Sequence, residues 1–178
     1  IWAAQASDPP SSLERSLLTS GWSEPFEQTA MVKALNAVEP FEAPHSPLIV
    51  SPVEDEGELA TWAALSGAAF GYEIDVSALK PLLGQAQVSV LKAVQDDAMV
   101  ATALLLRTGL TAGLHQMSVD PGRQKQGIAS ALMAELERRA QVSGAQQMVL
   151  QASPAGLPLY AKRGFVPQMT LRNYLRLP

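Results

Sequence analysis

Apolar and polar residues recur along the chain with periods that define most of its elements. Leu48 to Val53 reads as a strand. Glu54 to Phe70 reads as a helix, because Leu59, Trp62, Ala63, Leu65, Ala69 and Phe70 fall near helical spacing. A short helix over Val76 to Leu83 follows. Three extended runs come next, Val88 to Val94, Met99 to Arg107 and Thr111 to Val119, separated by Asp96-Asp97 and by Gly109. Tight turns of that kind join antiparallel neighbours, so the runs predict a meander. After a loop over Asp120 to Gln126, the positions Ile128, Leu132, Met133, Leu136 and Ala140 mark one face of a long helix, Gly127 to Ser143, that Gly144 stops. A buried strand at Gln147 to Gln151, a short helix around Pro158 to Lys162 and a last pair of strands close the sequence.

Upstream, Ile1 to Ala4 predicts a short strand, Ser11 to Thr19 a helix capped by Ser11 or Ser12, and Thr29 to Leu35 a strand. Proline and acidic residues then cluster from Glu39 to Pro52, most densely in Glu39-Pro40-Phe41-Glu42-Ala43-Pro44-His45-Ser46-Pro47, where no apolar period survives. That composition reads as a linker. It divides the chain into an appended segment, residues 1–47, and a domain, residues 48–178. The run Leu17-Leu18-Thr19-Ser20-Gly21-Trp22 before a strand echoes Tyr160-Ala161-Lys162-Arg163-Gly164-Phe165 before another. Two origins fit the echo: the remnant of a duplicated unit, or the common habit of placing glycine after a helix.

Composition narrows the chemistry. With 178 residues, 47 % of them apolar and 17 % charged, the chain has material for one ordinary core and too little charge to stay disordered. There is no cysteine, and only His45 and His115 carry imidazole, so disulfides, thiolate zinc sites and a cysteine nucleophile are excluded and no metal is expected. The best apolar run, Met99 to Leu106, falls far short of the roughly 18 to 20 residues of a membrane span, and Ile1 opens no signal-peptide pattern. A soluble cytoplasmic protein is expected. Residues 1–75 hold twelve acidic and two basic side chains, while residues 76–178 hold five acidic and eleven basic. The basic half suits a small phosphorylated ligand, its scattered charges without aromatic interleaving argue against nucleic acid, and the acidic half favours a cationic partner such as an amine. An ordinary solvated surface accounts for the same charges.

The most informative stretch is Val119-Asp120-Pro121-Gly122-Arg123-Gln124-Lys125-Gln126-Gly127-Ile128-Ala129, a strand running through a glycine-containing loop into a long helix. The first amides of a helix lack internal acceptors and the helix dipole is positive there, so such a junction binds anions, with Arg123 and Lys125 at its rim. A plain strand-to-helix turn is the competing reading. Gln124-Lys125-Gln126-Gly127-Ile128-Ala129 is similar to the Gln/Arg-x-x-Gly-x-Gly/Ala signature of the GNAT acyl-CoA-dependent acetyltransferases, with Val119 and Pro121 at the family's usual positions ahead of it. Leu159-Tyr160-Ala161-Lys162-Arg163-Gly164-Phe165 resembles that family's second motif, a tyrosine four residues before a Gly-Phe pair. The resemblance covers roughly Leu48 to Pro178 and implies an α/β GNAT fold with a mixed, mostly antiparallel sheet flanked by helices. For residues 1–47 it implies an appended piece, a remnant of a second GNAT-like unit.

The resemblance also implies roles. Main-chain amides of Gln124, Lys125, Gln126, Gly127, Ile128 and Ala129 would hold the diphosphate of acetyl-CoA, and the main chain of Met117 and Val119 would pair with its pantetheine arm like an added strand. Ser153 stands where the family often has asparagine for a further contact to that arm. Transfer from a thioester to an amine needs a neutral nucleophile, a stabilised oxyanion and a proton for the departing thiolate. Tyr160 is the candidate general acid, since a phenol stays protonated near neutrality. A tyrosine merely packed at a helix end is the other reading. The amide of Val119 would polarise the carbonyl. His115 is the candidate base, relaying a proton through water, or else a structural histidine.

Trp62, Phe70, Tyr72, Glu73 and Asp75 are candidates for the acceptor wall, with Trp62 and Phe70 fitting the core better. The expected reaction is N-acetylation of a primary amine on a small molecule or peptide by direct attack in a ternary complex, with a homodimer as the candidate assembly. The alternative is a CoA-binding or sensing module that performs no transfer.

Overall fold

Turn chemistry and helix capping set the boundaries of the elements. The computed structural model describes residues 2–35 and 48–176. In chain order the elements are β1 (Trp2–Gln5), α1 (Ser12–Thr19), β2 (Ser23–Ala34), β3 (Ile49–Pro52), α2 (Glu56–Phe70), α3 (Val76–Leu79), β4 (Val88–Gln95), β5 (Ala98–Thr108), β6 (Thr111–Val119), α4 (Ile128–Val142), β7 (Gln147–Ala152), α5 (Leu157–Lys162) and β8 (Val166–Leu175). They fall into two compact units, one formed by Ala34–Met148 and one by Ile1–Lys33 with Val149–Pro178. The linker run from Glu39 to Pro47, His45 included, lies outside the described residues.

In the unit Ala34–Met148 the strands lie in the order β6-β5-β4-β3 with antiparallel pairing throughout. The predicted meander is there, and its first turn uses Asp96 and Asp97 with φ of 52° and 59°. Two adjacent left-handed residues match the twist of a tight hairpin, and aspartate tolerates that conformation better than most residues. α2 buries Leu59, Trp62 and Ala63 against Val53, Val90 and Leu104. The Trp62 indole N–H, sealed from water, donates to the Leu91 carbonyl at 2.8 Å. Phe70, read with Trp62 as core, is 43 % exposed, because α2 ends there and Gly71 turns the chain away. α4 buries Ile128, Leu132, Met133, Leu136 and Ala140, the predicted face. The short helix expected over Val76 to Leu83 is α3 followed by a 3-10 turn at Lys80–Leu82, where Pro81 interrupts it.

The other unit corrects the expected ending. The last pair of strands is one ten-residue strand, β8, and its partners come from the beginning of the chain. β1 pairs with it from Trp2↔Tyr174 to Gln5↔Leu171, and β2 from Phe26↔Asn173 to Val32↔Val166, both antiparallel. The turn-type residues of Val166 to Leu175, Pro167 and Asn173, stand near its two ends, so nothing folds its middle into a hairpin. β2 in turn starts at Ser23 rather than Thr29, since it has β8 to pair along from its first residues. The strand order here is β1-β8-β2-β7. An α/β architecture with a mostly antiparallel sheet, as expected, is the result.

α1 is fixed by a buried carboxylate. Ser11 caps it by accepting from the Glu14 amide at 3.2 Å, while the Glu14 carboxylate accepts from the Ser11 amide at 2.7 Å. Glu14 has no exposed surface, so its charge needs further partners. It receives them from the Ser7 hydroxyl at 2.8 Å, the Arg172 guanidinium at 3.0 Å and the Tyr174 hydroxyl at 3.2 Å. The Ser11 amide first, then the Ser7 hydroxyl, hold its carboxyl down at about 2. A carboxyl held below its unfolded value stabilises the fold above that value and loses the contribution as pH falls toward the folded one. Thermal unfolding should therefore fall more steeply for wild type than for Glu14→Gln between pH 4.5 and pH 2. Equal slopes would mean that the carboxylate is not held in this way.

Candidate functional site

Strand β6 carries the first group of predicted residues, and a bulge shapes it. Thr102 opposes Ser118 and Leu104 opposes His115, so Gln116 and Met117 together face the single residue Ala103. Gln116 takes φ 48° to make this possible. The buried Thr102 hydroxyl lies 2.9 Å from the Gln116 carbonyl and 2.7 Å from the Ser118 hydroxyl, which ties the bulge to β5. The Gln116 side chain reaches α2: its carbonyl oxygen accepts from the Ser66 hydroxyl at 3.0 Å, and its amide donates to the Tyr72 hydroxyl at 2.9 Å. Gln116 and Ser66 were not among the residues singled out in the sequence, and no alternation or motif marks them.

Directly opposed residues share a sheet face, so His115 stands on the face of Leu104, which packs with Trp62 of α2. Its ring is folded back along the strand: a Cβ built on Gly113 would lie 2.9 Å from the His115 Nε2. Although part of the side chain is exposed, partial burial of the ring lowers its pKa, so His115 is neutral near neutral pH. A neutral imidazole with solvent access is the state a proton acceptor requires.

Beyond Val119 the chain enters the loop. The Asp120 amide donates to the Val100 carbonyl at 2.8 Å, and the Asp120 carboxylate accepts from the Gly122 amide at 2.8 Å. Arg123 leans toward Asp96 at 3.4 Å, which links the loop to the β4–β5 turn. Lys125 and Gly127 both have positive φ, 61° and 83°. Left-handed residues in such a loop turn successive amides toward one concavity, a geometry that receives anions. No side chain caps α4 at Gly127, and the first bond into the helix is from the Ala131 amide to the Gly127 carbonyl at 3.0 Å. Space beside Gly127 is open, with nothing within 4 Å of a built Cβ. Gln124, Lys125, Gln126 and Gly127 are exposed, whereas Ile128 is buried and Ala129 partly so. The residues fit a diphosphate, because they offer donors, a positive helix end, room and no competing acceptor among the described residues.

Tyr160 and Ser153 belong to the other unit. Tyr160 lies in α5 with its ring edge on Phe165, 5.8 Å between centroids, and 3.0 Å from a Cβ built on Gly156. Burial pushes its phenol up to about 12. Ser153 uses its hydroxyl to accept from the Gly156 amide at 3.2 Å, which shapes the turn into α5. Among the predicted acceptor residues, Phe70 and Tyr72 are exposed and stacked at 5.9 Å, Glu73 is exposed, and Asp75 caps α3 through the Ser77 amide at 2.8 Å. No helix among the described residues is long and apolar enough to cross a membrane.

Residues 51–173 match the family model described as an acetyltransferase (GNAT) domain. The fold is similar to a GCN5-related N-acetyltransferase from Sphaerobacter thermophilus, with a TM-score of 0.75 at 18 % identity over 98 % of this chain and 60 % of that one. A GCN5-related N-acetyltransferase from Kribbella flavida gives 0.67 at 17 % identity over 97 % and 66 %. A predicted acetyltransferase with acetyl-CoA from Clostridium acetobutylicum gives 0.58 at 18 % identity over 74 % and 96 %. Likeness at such identities is one of fold, and the chain spans less than two thirds of the length of the first two. No curated protein matches the sequence significantly.

The contact between Gly113 and His115 generates a prediction about titration. Gly113→Ala forces the imidazole off the strand and into water, so the ring should titrate closer to 6.5 than it does in wild type. Imidazole proton shifts followed by NMR against pH, in a His45→Gln background, read this directly. An unchanged titration would mean that packing along β6 does not desolvate the ring.

Proposed function

Because the chain belongs to the GNAT acetyltransferase family, we propose that it transfers an acetyl group from acetyl-CoA to a primary amine by direct attack in a ternary complex. One observation carries the reading: the start of α4 offers amides without an internal acceptor, in a left-handed loop with open space beside Gly127. Amides from Gln124 to Ala129 hold the diphosphate, and the exposed Lys125 adds charge at the rim. Met117 and Val119 present the main chain to the pantetheine arm, beside the bulge at Gln116. Ser153 is the weakest member of this set, since its hydroxyl already serves the α5 turn.

Bound acetyl-CoA supplies an acyl group activated as a thioester: the N–C bond forms, the C–S bond breaks, and the proton lost by nitrogen balances the one gained by sulfur. His115 takes the proton from the ammonium through water, being neutral at the working pH. Tyr160 keeps its proton across that range and donates it toward the sulfur. Without cysteine the protein has no thiol to carry the acyl group, which favours direct attack over a relay.

Residues 1–47 are read as the remnant of a second GNAT-like unit ahead of the domain at 48–178. In the order β1-β8-β2-β7, exchanging β1-α1-β2 with β7-α5-β8 gives the same order reversed. Gly21 and Gly164 end the two helices with φ of 81° and 84°, each followed by an aromatic residue. Leu17 stands where the other half has Tyr160, so the remnant lacks an acid.

Calorimetry should find acetyl-CoA binding that Gly127→Trp abolishes while circular dichroism keeps the helix signal. Thiol release with an accepted amine should fall by about 10²-fold or more in Tyr160→Phe. Binding unaffected by Gly127→Trp would remove the phosphate site, and a Tyr160→Phe enzyme as fast as wild type would remove the acid. Binding without transfer to any amine would favour the CoA-binding module.

A further inference from the structure

A groove of about 340 Å³ runs along α2, beneath the segment from Tyr72 to Val76. Its floor exists because the side chains there stop at a methyl: Ala60, Ala64 and Ala68 line it. The overhang is clamped at its first residue, Tyr72, through both main chain and side chain. At its root, the Tyr72 amide donates to the Gly67 carbonyl at 3.2 Å, and a Cβ on Gly67 would come within 2.6 Å of the Tyr72 carbonyl, so only glycine permits the approach. On the side chain, the Tyr72 hydroxyl is held by Gln116, next to His115 on β6. The wall of the groove is thereby registered to the strand bearing the proposed base. Phe70 stacks on the outer ring face, leaving an aromatic pair 43 % and 50 % exposed. Glu73, also lining the groove, is exposed and forms no ion pair among the described residues.

Resting on the acetyltransferase reading, we propose that this groove seats the acceptor and that the acceptor is a small primary amine with an aromatic or alkyl body. Methyl-lined walls and an exposed aromatic ring gain by covering apolar surface. The volume lies at the small end of ligand sites, which fits one compact group. The exposed Glu73 carboxylate favours an ammonium and repels an acid. A polyamine would strip water from further ammonium groups over a floor without acceptors, which is costly. Tyr72 is a positioning residue, oriented by Gln116.

The test compares phenethylamine and hexylamine with spermidine, glutamate and a short peptide in thiol-release assays, and maps phenethylamine by NMR in the presence of coenzyme A. Phenethylamine should shift amides within residues 60–76, and kcat/KM for the two apolar amines should exceed the others by at least about tenfold. Ala64→Leu, which fills the floor from an exposed helix position, should raise KM for phenethylamine by about tenfold with a smaller effect on kcat and none on acetyl-CoA affinity. Spermidine, glutamate or the peptide as the best acceptor, shifts confined to other residues, or an unmoved KM in Ala64→Leu would overturn the inference alone. Absence of acetyl-CoA binding would overturn the reading beneath it, and binding without transfer to any amine would overturn both.

Discussion

A helix cannot bond its own first amides, and what the chain does with that deficit at α4 governs the rest. In the first three helices it makes the deficit good with side chains: Ser11 caps α1, Asp55 caps α2 and Asp75 caps α3, whereas α4 and the short α5 have none. At α4 it declines to. The nearby carboxylate, Asp120, is spent on the Gly122 amide, and the capping position is a glycine in a left-handed conformation. With glycine at the capping position the missing cap costs only about a few tenths of a kcal/mol, recovered when an anion supplies the acceptors. The core face of α4, from Ile128 to Ala140, keeps the uncapped end in position meanwhile.

The β6 bulge is the counterpart of that end. One extra residue, accommodated by φ 48° at Gln116, lets two consecutive side chains serve different tasks. His115 lies back over Gly113, while Gln116 reaches α2 and fixes Tyr72. Thr102 makes the distortion specific, since its hydroxyl contacts both the carbonyl at the bulge and Ser118 beyond it. An alanine at Gly113 would crowd the His115 ring, and a residue larger than glycine at Gly67 would crowd the Tyr72 carbonyl, so either would disturb this arrangement.

Local signals carried much of the fold. Periodicity over Glu54 to Phe70 and Gly127 to Ser143, together with the turns at Asp96-Asp97 and Gly109, placed two helices and a meander within a residue or two of their observed ends. What escaped was non-local. β8 looked like a pair of strands because its partners, β1 and β2, lie more than a hundred residues away in the chain. The buried Glu14 escaped too, since a carboxylate that caps its own helix and meets Arg172 and Tyr174 looks in sequence like any charge on a helix. For the candidate site, the loop and Tyr160 stood out as motifs, and Tyr72 and Glu73 as candidates for the acceptor wall. The Gln116 contacts were not, because a bulge leaves no mark on the hydrophobic pattern.

Burial moves the two proposed proton carriers in opposite directions, and the chemistry depends on that opposition. His115 is an acid when charged, so desolvation lowers its pKa and leaves a neutral base. Tyr160 is charged only when deprotonated, so the same effect raises its phenol to about 12 and keeps the proton on. Both groups are thus neutral across the neutral range. A phenol at about 12 is a weaker acid than an ordinary thiol near 8.5, which in water would leave the sulfur unprotonated. Around Tyr160, however, the desolvation that raises the phenol raises the proton affinity of any thiolate beside it. The two affinities move together, so burial does not widen the gap between phenol and thiol that the proposed transfer has to cross.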